Sequence, residues 1–285
     1  MAYRHDIQGL DIAWCPGCGN YGIRTALMQA LEELEVGADE LVLVSGIGQA
    51  AKMPHYIRCN CFNGLHGRAI PAATGIAACN RDLTVIAEGG DGDMYGEGGN
   101  HFIHCIRRNP DITHLVHDNM VYGLTKGQAS PTSMVGFETP VQPEGVILRP
   151  FDPVAVAIAL DASFVARSFA GDTEHLSNTI AEAVRHRGYA LVDILQPCVT
   201  FNRVNTFDWF KENTFSIGDE HDPADRKAAF ELTTSSGKLA LGVIYRNERE
   251  TFEEQQPVWE DEAGPLFLRE RSADQVKELV EEHRI

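Results

Sequence analysis

The stretch Gly89-Gly-Asp-Gly-Asp-Met-Tyr-Gly-Glu-Gly-Gly-Asn100, followed by Asp118-Asn-Met-Val-Tyr-Gly-Leu124, is the most informative part of the sequence. A Gly-Asp-Gly turn after the apolar run at residues 83–87 lets the backbone approach a phosphate and directs the Asp91 carboxylate at the accompanying cation. A hard cation such as Mg²⁺ takes oxygen ligands, and Asn119 is the natural second one. The spacing (119 − 91 = 28) fits one helix and one strand. Both side chains should therefore emerge at the carboxyl edge of a parallel sheet, where such sheets bind ligands.

Strand-length apolar runs alternate with helical patterns through the first 200 residues. Strands are predicted at 41–44, 83–87, 112–117, 163–169 and 189–195, and helices at 21–34, 70–78, 98–108 and 173–186. Asp172 is a plausible N-cap for the last of these helices. This alternation predicts an α/β fold with a doubly wound parallel sheet.

The alternation lapses after about residue 201. The remainder carries one strand-like run, 239–245, and a polar terminal helix, 272–283. We therefore predict an α/β domain over residues 1–204 and an irregular C-terminal arm over residues 205–285 that packs on a partner subunit. The alternative is a loosely packed extension on its own chain.

Composition excludes several classes of protein. The 285-residue chain has a formal charge of −17 and a pI of about 5.0, which argues against a nucleic-acid partner because phosphate backbones attract Lys/Arg clusters. The N-terminus lacks an apolar signal core, and the longest apolar run, 154–160, is too short to span a bilayer. A cytoplasmic protein without membrane contact is predicted. Its seven cysteines are then core residues or metal ligands rather than a disulfide framework.

The second motif is Trp14-Cys-Pro-Gly-Cys-Gly19. Two thiolates with this spacing face one soft metal centre, either zinc or an iron–sulfur cluster. A thioredoxin-like redox pair is the rival, but no strand precedes the motif. Cys198 is the best third ligand, because it follows the last predicted strand of the sheet. By contrast, Cys79 and Cys105 fall on predicted helices and are expected to be buried core residues.

The Gly-Asp-Gly turn with its downstream Asn resembles the thiamine diphosphate signature. The resemblance implies that Asp91 and Asn119 hold Mg²⁺ through their side chains and that Val121 holds it through its carbonyl. It also places near the diphosphate a group of residues that share these two turns: Gly92, Asp93, Tyr122, Gly123, Leu124 and Thr125.

The two motifs occur together in one family. Over about 205 residues the chain resembles the β subunit of 2-oxoacid:ferredoxin oxidoreductases, through Trp14-Cys-Pro-Gly-Cys-Gly-Asn20, Val44-Ser-Gly-Ile-Gly48, Leu65-His-Gly-Arg68, Gly89-Gly-Asp-Gly-Asp93 and Tyr122-Gly-Leu-Thr-Lys-Gly-Gln128. The resemblance implies thiamine diphosphate, Mg²⁺ and a [4Fe–4S] cluster on this subunit. It also implies cleavage of a 2-oxoacid to CO₂ and an acyl-CoA, with CoA as co-substrate and ferredoxin as electron acceptor.

One position departs from the family pattern. In related enzymes a cysteine follows Gly-Ile-Gly, whereas this chain has Gln49, and glutamine is a poor ligand for soft iron. Cys15, Cys18 and Cys198 then need a fourth partner. Either Cys59 or Cys61 supplies it, with Cys59 the provisional choice, or the cluster has an unusual ligand or fewer irons.

Three further roles follow from the resemblance. Gly46, Ile47 and Gly48 are predicted to contact the cofactor, with Ile47 as the candidate for the apolar wedge that bends it. Lys52 is a candidate for binding a substrate carboxylate, the alternative being a solvated lysine. His66 is a candidate for orienting substrate or cofactor, the alternative being a structural histidine.

The family places the catalytic glutamate and the pyrimidine-binding domain on a larger α subunit, so we expect an α₂β₂ heterotetramer. Lys52, Gln49 and Lys126 favour 2-oxoglutarate as the substrate, with pyruvate or a branched-chain 2-oxoacid as alternatives. Two other classes of protein remain open. One is a thiamine-dependent lyase or synthase subunit without redox chemistry, and the other is an iron–sulfur electron-transfer or scaffold subunit.

Overall fold

A mostly parallel sheet forms the centre of the molecule in the computed structural model, which describes residues 3–259, 264–270 and 272–284. Of the two predicted domains, residues 1, 2, 260–263, 271 and 285 lie outside the described residues. The strands are β1 (Leu41–Ser45), β2 (Asn60–Asn63), β3 (Thr84–Gly90), β4 (Thr113–Asp118), β5 (Phe164–Phe169), β6 (Ala190–Leu195), β7 (Thr214–Ser216) and β8 (Leu239–Arg246). Their spatial order is β2-β1-β3-β4-β6-β5-β8-β7, and β8 runs antiparallel to β5.

Helices cover both faces of this sheet. The α-helices of the described residues are α1 (Asn20–Glu33), α2 (Ala69–Cys79), α3 (Gly99–Arg108), α4 (Pro153–Ala159), α5 (Thr173–Arg185), α6 (Phe207–Asn213), α7 (Arg226–Ser235) and α8 (Ala273–Glu282), of which α8 is exposed throughout. Along β1 the side chains alternate, so that Leu41 and Leu43 pack with α1 and α5, whereas Val42 and Val44 pack with α2, α3 and α4. The central strands are therefore buried on both faces, which explains apolar stretches such as residues 41–44. The predicted α/β doubly wound fold is confirmed.

Element boundaries agree closely with the periodicity. Helix α5 begins where predicted, and the Asp172 side chain accepts a hydrogen bond from the His175 backbone N–H at 3.1 Å, which confirms the N-cap. A π-helical turn, Gly92–Glu97, separates β3 from α3 and was not predicted. Such turns often occur at functional sites.

The C-terminal segment is more regular than the sequence suggests. Strands β7 and β8 extend the sheet beyond β5, and α7 packs against α4 through a shared apolar cluster. Part of the predicted arm thus belongs to the sheet of its own chain. Its predicted contact with a partner subunit, and the division at residue 204, stay predictions. Among the described helices, none combines the length and the apolar character that crossing a membrane requires.

Candidate active site

A cleft at the carboxyl edge of the sheet contains most of the predicted site residues. It is lined by residues 47–50, 66, 90–93, 119 and 121–125, and we call it the cofactor cleft. Every residue predicted to bind thiamine diphosphate lines it except Gly46. The topology explains this convergence: β1, β3 and β4 are neighbouring parallel strands, so the turns that follow them meet at one edge.

A larger, open groove lies elsewhere, lined by charged residues of α5 and of residues 246–254. Its side chains pair with one another, as Arg246 does with Glu182 at 2.7 Å and Arg187 does with Glu254. None of the predicted site residues lines this groove. The cofactor cleft is therefore the candidate active site.

The Asp91 carboxylate is buried beside a second acid, Asp118. The Thr132 hydroxyl lies 2.7 Å from an oxygen of each and can donate to only one of them. Burial raises the pKa of Asp91 to about 6, and burial together with the charges of Asp193 and Asp91 raises the pKa of Asp118 well above its usual range. Two buried acids that share one hydroxyl leave negative charge uncompensated. This donor set fits a hard cation.

The Asn119 side chain is hydrogen-bonded through both its oxygen and its nitrogen. Its Oδ1 accepts a hydrogen bond from the Val121 backbone N–H at 3.1 Å, while its Nδ2 donates to Gln196 Oε1 at 2.9 Å. The amide orientation is therefore fixed from both ends. The sequence pointed to Asn119 but gave Gln196 and Thr132 no role in holding these ligands.

Asp93 joins the three loops that border the cofactor cleft. Its Oδ1 accepts hydrogen bonds from the backbone N–H groups of Ile47 at 3.2 Å and Gly67 at 2.8 Å, and it lies 2.9 Å from His66 Nδ1. A Cβ on Gly46 would lie 2.1 Å from Asp93 Oδ2, so only glycine fits there. Asp93 thus positions the Gly-Ile-Gly turn and His66, a role that the sequence did not indicate. Lys52 lies in the 3₁₀ segment Ala50–His55 and does not line the cleft.

Three of the predicted cysteine ligands lie in two segments that pack together at this edge. The Gly19 backbone N–H donates to the Pro197 carbonyl at 3.2 Å, and Gln196 Nε2 donates to Cys18 Sγ at 3.5 Å. Burial raises the pKa of Cys18 to about 11, and the charges of Cys198 and Cys15 add to that rise. Cys15 is exposed, and Cys18 and Cys198 are half-buried.

Cys59 lies apart from this group. It immediately precedes β2, at the amino end of that strand, and its Sγ donates to the Ile57 carbonyl at 3.6 Å. Burial raises the pKa of Cys59, and the charges of Cys61 and Glu88 add to that rise. The role of Cys59 as the fourth ligand stays a prediction. Among the residues that the structure describes, no set of three or more His, Cys, Asp and Glu side chains is already arranged around a metal position.

The predictions that Cys79 and Cys105 are buried differ in outcome. Cys105 is buried and packs among the apolar residues on the α2, α3 and α4 side, as predicted. The prediction of a buried Cys79 is wrong, because it is the last residue of α2 and is exposed. The backbone carbonyl of Gln49 accepts a hydrogen bond from Trp14 Nε1 at 2.8 Å. This bond links residues 14–19, which we call the cysteine loop, to the turn after β1. The buried side-chain oxygen of Gln49 has no partner.

Comparisons with known proteins agree with this geometry. Residues 43–194 match the C-terminal TPP-binding domain of thiamine pyrophosphate enzymes, and residues 198–261 match the C-terminal part of the pyruvate ferredoxin oxidoreductase β chain. The 2-oxoacid:ferredoxin oxidoreductase subunit beta of Saccharolobus solfataricus is 40% identical over 280 residues, which cover 93% of this chain and 91% of that one. The 2-oxoglutarate oxidoreductase subunit KorB of Mycobacterium tuberculosis is 45% identical over 67% of this chain and 52% of its own length.

A solved structure is similar over almost the whole chain. It is the 2-oxoglutarate:ferredoxin oxidoreductase from Magnetococcus marinus with 2-oxoglutarate, coenzyme A and succinyl-CoA bound. The TM-score is 0.91 at 32% identity, with coverage of 99% of this chain and 95% of that one.

Proposed function

The chain belongs to the family of 2-oxoacid:ferredoxin oxidoreductase β subunits, and from that premise we propose that it serves in the oxidative decarboxylation of 2-oxoglutarate to succinyl-CoA. The observation that carries the proposal is the convergence of Asp91, Asn119 and the loop of Cys15 and Cys18 at one edge of the sheet. The substrate is supported by the 2-oxoglutarate and succinyl-CoA in the Magnetococcus marinus enzyme and by KorB relatives that match 67% and 71% of the chain.

We propose that the cofactor cleft binds thiamine diphosphate through Mg²⁺. Asp91 and Asn119 would supply side-chain oxygens and Val121 its carbonyl, while the turn at residues 122–125 would border the diphosphate. When bound, the cofactor provides a carbanion for addition to 2-oxoacids and accepts the electrons that decarboxylation leaves. The protein's part is to orient the cofactor. Asp93 does so by holding Ile47 and His66 against the cleft.

We propose further that Cys15, Cys18 and Cys198 bind an iron–sulfur cluster, a [4Fe–4S] centre by analogy with the family. Partial exposure at a loop edge suits thiolates that bind metal. The fourth ligand is Cys59, Cys61 or a group other than cysteine. Gln49 is close to the cysteine loop, and its unpaired side-chain oxygen is available to the cluster or to a bound water.

Single cysteine replacements test the cluster. In the anaerobically purified enzyme, Cys15→Ser, Cys18→Ser and Cys198→Ser should each remove or strongly degrade the visible charge-transfer absorption, since each loses a ligand. Cys79→Ser is the matched control and should leave the spectrum and the iron content unchanged. A comparison of Cys59→Ser with Cys61→Ser identifies the fourth ligand. An intact spectrum in the Cys15→Ser enzyme would refute the assignment.

Substrate preference is tested through Lys52. A charge-assisted hydrogen bond to a distal carboxylate contributes about 1.5–3 kcal/mol, enough to favour 2-oxoglutarate over pyruvate by roughly ten- to a hundredfold. Lys52→Met should therefore raise the KM for 2-oxoglutarate far more than the KM for pyruvate, whereas Lys211→Met, an exposed lysine on α6, should change neither. Equal losses for both substrates would exclude Lys52 as a specificity residue. A wild-type enzyme that prefers pyruvate would reject the choice of 2-oxoglutarate.

A β subunit works beside another subunit, and we propose that its partner is a larger α subunit in an α₂β₂ assembly. That partner would contribute the catalytic glutamate and most of the CoA site, and ferredoxin would take the electrons. Size-exclusion chromatography with iron, sulfide and thiamine analysis of the native enzyme tests this assembly. A catalytically competent homodimer of this chain would contradict it.

A further inference from the structure

Gln196 lies where the two proposed cofactor sites meet. It follows β6 directly, is 2% exposed, and its backbone N–H donates to the Asp118 carbonyl at 2.8 Å. Because β4 and β6 are neighbouring parallel strands, this bond holds Gln196 beside the residue that follows β4, which is Asn119. The backbone of Gln196 is therefore fixed by the sheet itself.

The side chain of Gln196 makes hydrogen bonds in both directions. Its Oε1 accepts from Asn119 Nδ2 at 2.9 Å, and its Nε2 donates to the Pro197 carbonyl at 2.7 Å and to Cys18 Sγ at 3.5 Å. Reversing the amide would place N–H groups opposite each other at Asn119 and a carbonyl oxygen opposite the Pro197 carbonyl. Only one orientation satisfies these contacts, and it directs an N–H at the thiol.

Packing leaves Gln196 little freedom to move. A Cβ on Gly19 would lie 2.9 Å from Gln196 Cγ and 3.0 Å from its Nε2, so the cysteine loop rests directly on this side chain. On the other side, a Cβ on Gly123 would lie 3.6 Å from Cys198 Sγ. The cysteine loop and the turn at residues 122–125 thus lie against the same short segment, residues 196–198.

We propose that Gln196 is a positioning residue that couples the proposed Mg²⁺ site at Asp91 and Asn119 to the proposed iron–sulfur site at Cys15, Cys18 and Cys198. Cofactor binding at Asn119 would then change the reduction potential of the iron–sulfur centre held by Cys18. This inference rests on the proposed function. Hydrogen bonds to ligating sulfur raise the reduction potential of iron–sulfur centres, because they stabilise the added negative charge. A ligand that reorients Asn119 alters the Gln196 amide and with it the N–H that points at Cys18. By linkage, reduction of the centre changes cofactor affinity by the same factor.

The test uses the complete heteromeric enzyme with its iron and thiamine contents measured first. Its reduction potential is titrated by electron paramagnetic resonance with and without Mg²⁺ and thiamine diphosphate. In the wild type we expect two different potentials. Gln196→Met removes the side-chain hydrogen bonds to Asn119, the Pro197 carbonyl and Cys18. It should lower the potential of the loaded enzyme by about 59 mV, a tenfold change in a one-electron equilibrium. The difference between loaded and unloaded enzyme should also disappear.

Two further variants separate the hydrogen bond to Asn119 from the hydrogen bond to Cys18. Gln196→Glu keeps an acceptor for Asn119 but loses the donor to Cys18, so it should lower the potential while thiamine affinity stays close to that of the wild type. Asn202→Ala is the matched control, because the Asn202 side chain donates to the Asn119 carbonyl at 3.0 Å without touching the thiol. It should leave the potential unchanged even if it weakens cofactor binding.

The outcomes distinguish the inference from the function on which it rests. Wild-type enzyme that contains iron and thiamine, yet shows the same potential with and without cofactor, would overturn the coupling alone. So would unchanged potentials in both Gln196 variants. A native enzyme that lacks iron or thiamine would overturn the proposed function and the coupling together.

Discussion

At the scale of single residues, Asp91 and Asp172 are two carboxylates with different roles, one at the proposed cation site and the other at the start of a helix. Asp91 is buried beside Asp118 and faces the cofactor cleft, whereas Asp172 caps α5. Asp91→Ala should abolish retention of Mg²⁺ and thiamine diphosphate with the fold near intact, because a hard cation has few protein ligands here. Asp172→Ala should lower the free energy of unfolding by about 1 kcal/mol and leave cofactor content unchanged. Calorimetry and thiamine analysis of both variants test the pair, and full cofactor content in Asp91→Ala would disprove the site.

The sequence did not predict contacts in which one residue holds another site residue in place. Asp91 and Asn119 were predictable because each follows a strand, and the ends of parallel strands meet. Thr132 lies in the long irregular connection between β4 and α4, and its contact with Asp91 depends on how that loop folds back. Asp93 and His66 were both predicted as site residues, but their contact with each other depends on tertiary packing. Local periodicity carries no information about such contacts.

At the scale of elements, the π-helical turn Gly92–Glu97 directs β3 into α3 along the cofactor cleft. A Cβ on Gly92 would lie 2.1 Å from a ring carbon of Tyr122, so Gly92→Ala must displace that ring from the cleft. Gly99, the first residue of α3, has no neighbour within 4 Å of an added Cβ. Gly99→Ala should therefore be neutral or stabilise the helix by up to about 1 kcal/mol. Gly92→Ala should weaken thiamine diphosphate binding, and equal dissociation constants for the two variants would contradict this account.

The predicted elements were those with a long apolar signal. Strands β1, β4, β5 and β6 are fully buried, and the long apolar stretches of β1 and β6 reflect that burial. In contrast, all four residues of β2 are exposed, and β7 has only three residues, none of them buried. Short edge strands bury little apolar surface and leave no periodic trace. Their positions depend on the neighbouring strand rather than on their own sequence.

At the scale of the whole molecule, much of the C-terminal segment packs on the sheet of its own chain. The run at 239–245 was recognisable as a strand, but its antiparallel pairing with β5 joins residues more than 70 positions apart. Sequence periodicity cannot specify such a pairing. Beyond β8, however, α8 lies on the surface with Val276, Leu279 and Val280 exposed. These exposed apolar side chains make the end of the predicted arm a candidate for partner contact.

Two truncations separate these roles of the C-terminal segment. A chain that ends at residue 204 loses β8, exposes the edge of β5 and uncovers the apolar surface under α7, so it should aggregate. Among the helices, a chain that ends at residue 270 loses only α8, and the residues of α8 are all exposed. The melting temperature of this truncated chain should therefore stay within a few degrees of that of the full chain. If the arm packs on the α subunit, the second truncation should nevertheless lower the yield of heteromer when both subunits are produced together. Undiminished assembly would show that α8 contributes nothing to the interface between subunits, and the predicted role of the arm would then be confined to residues 205–270.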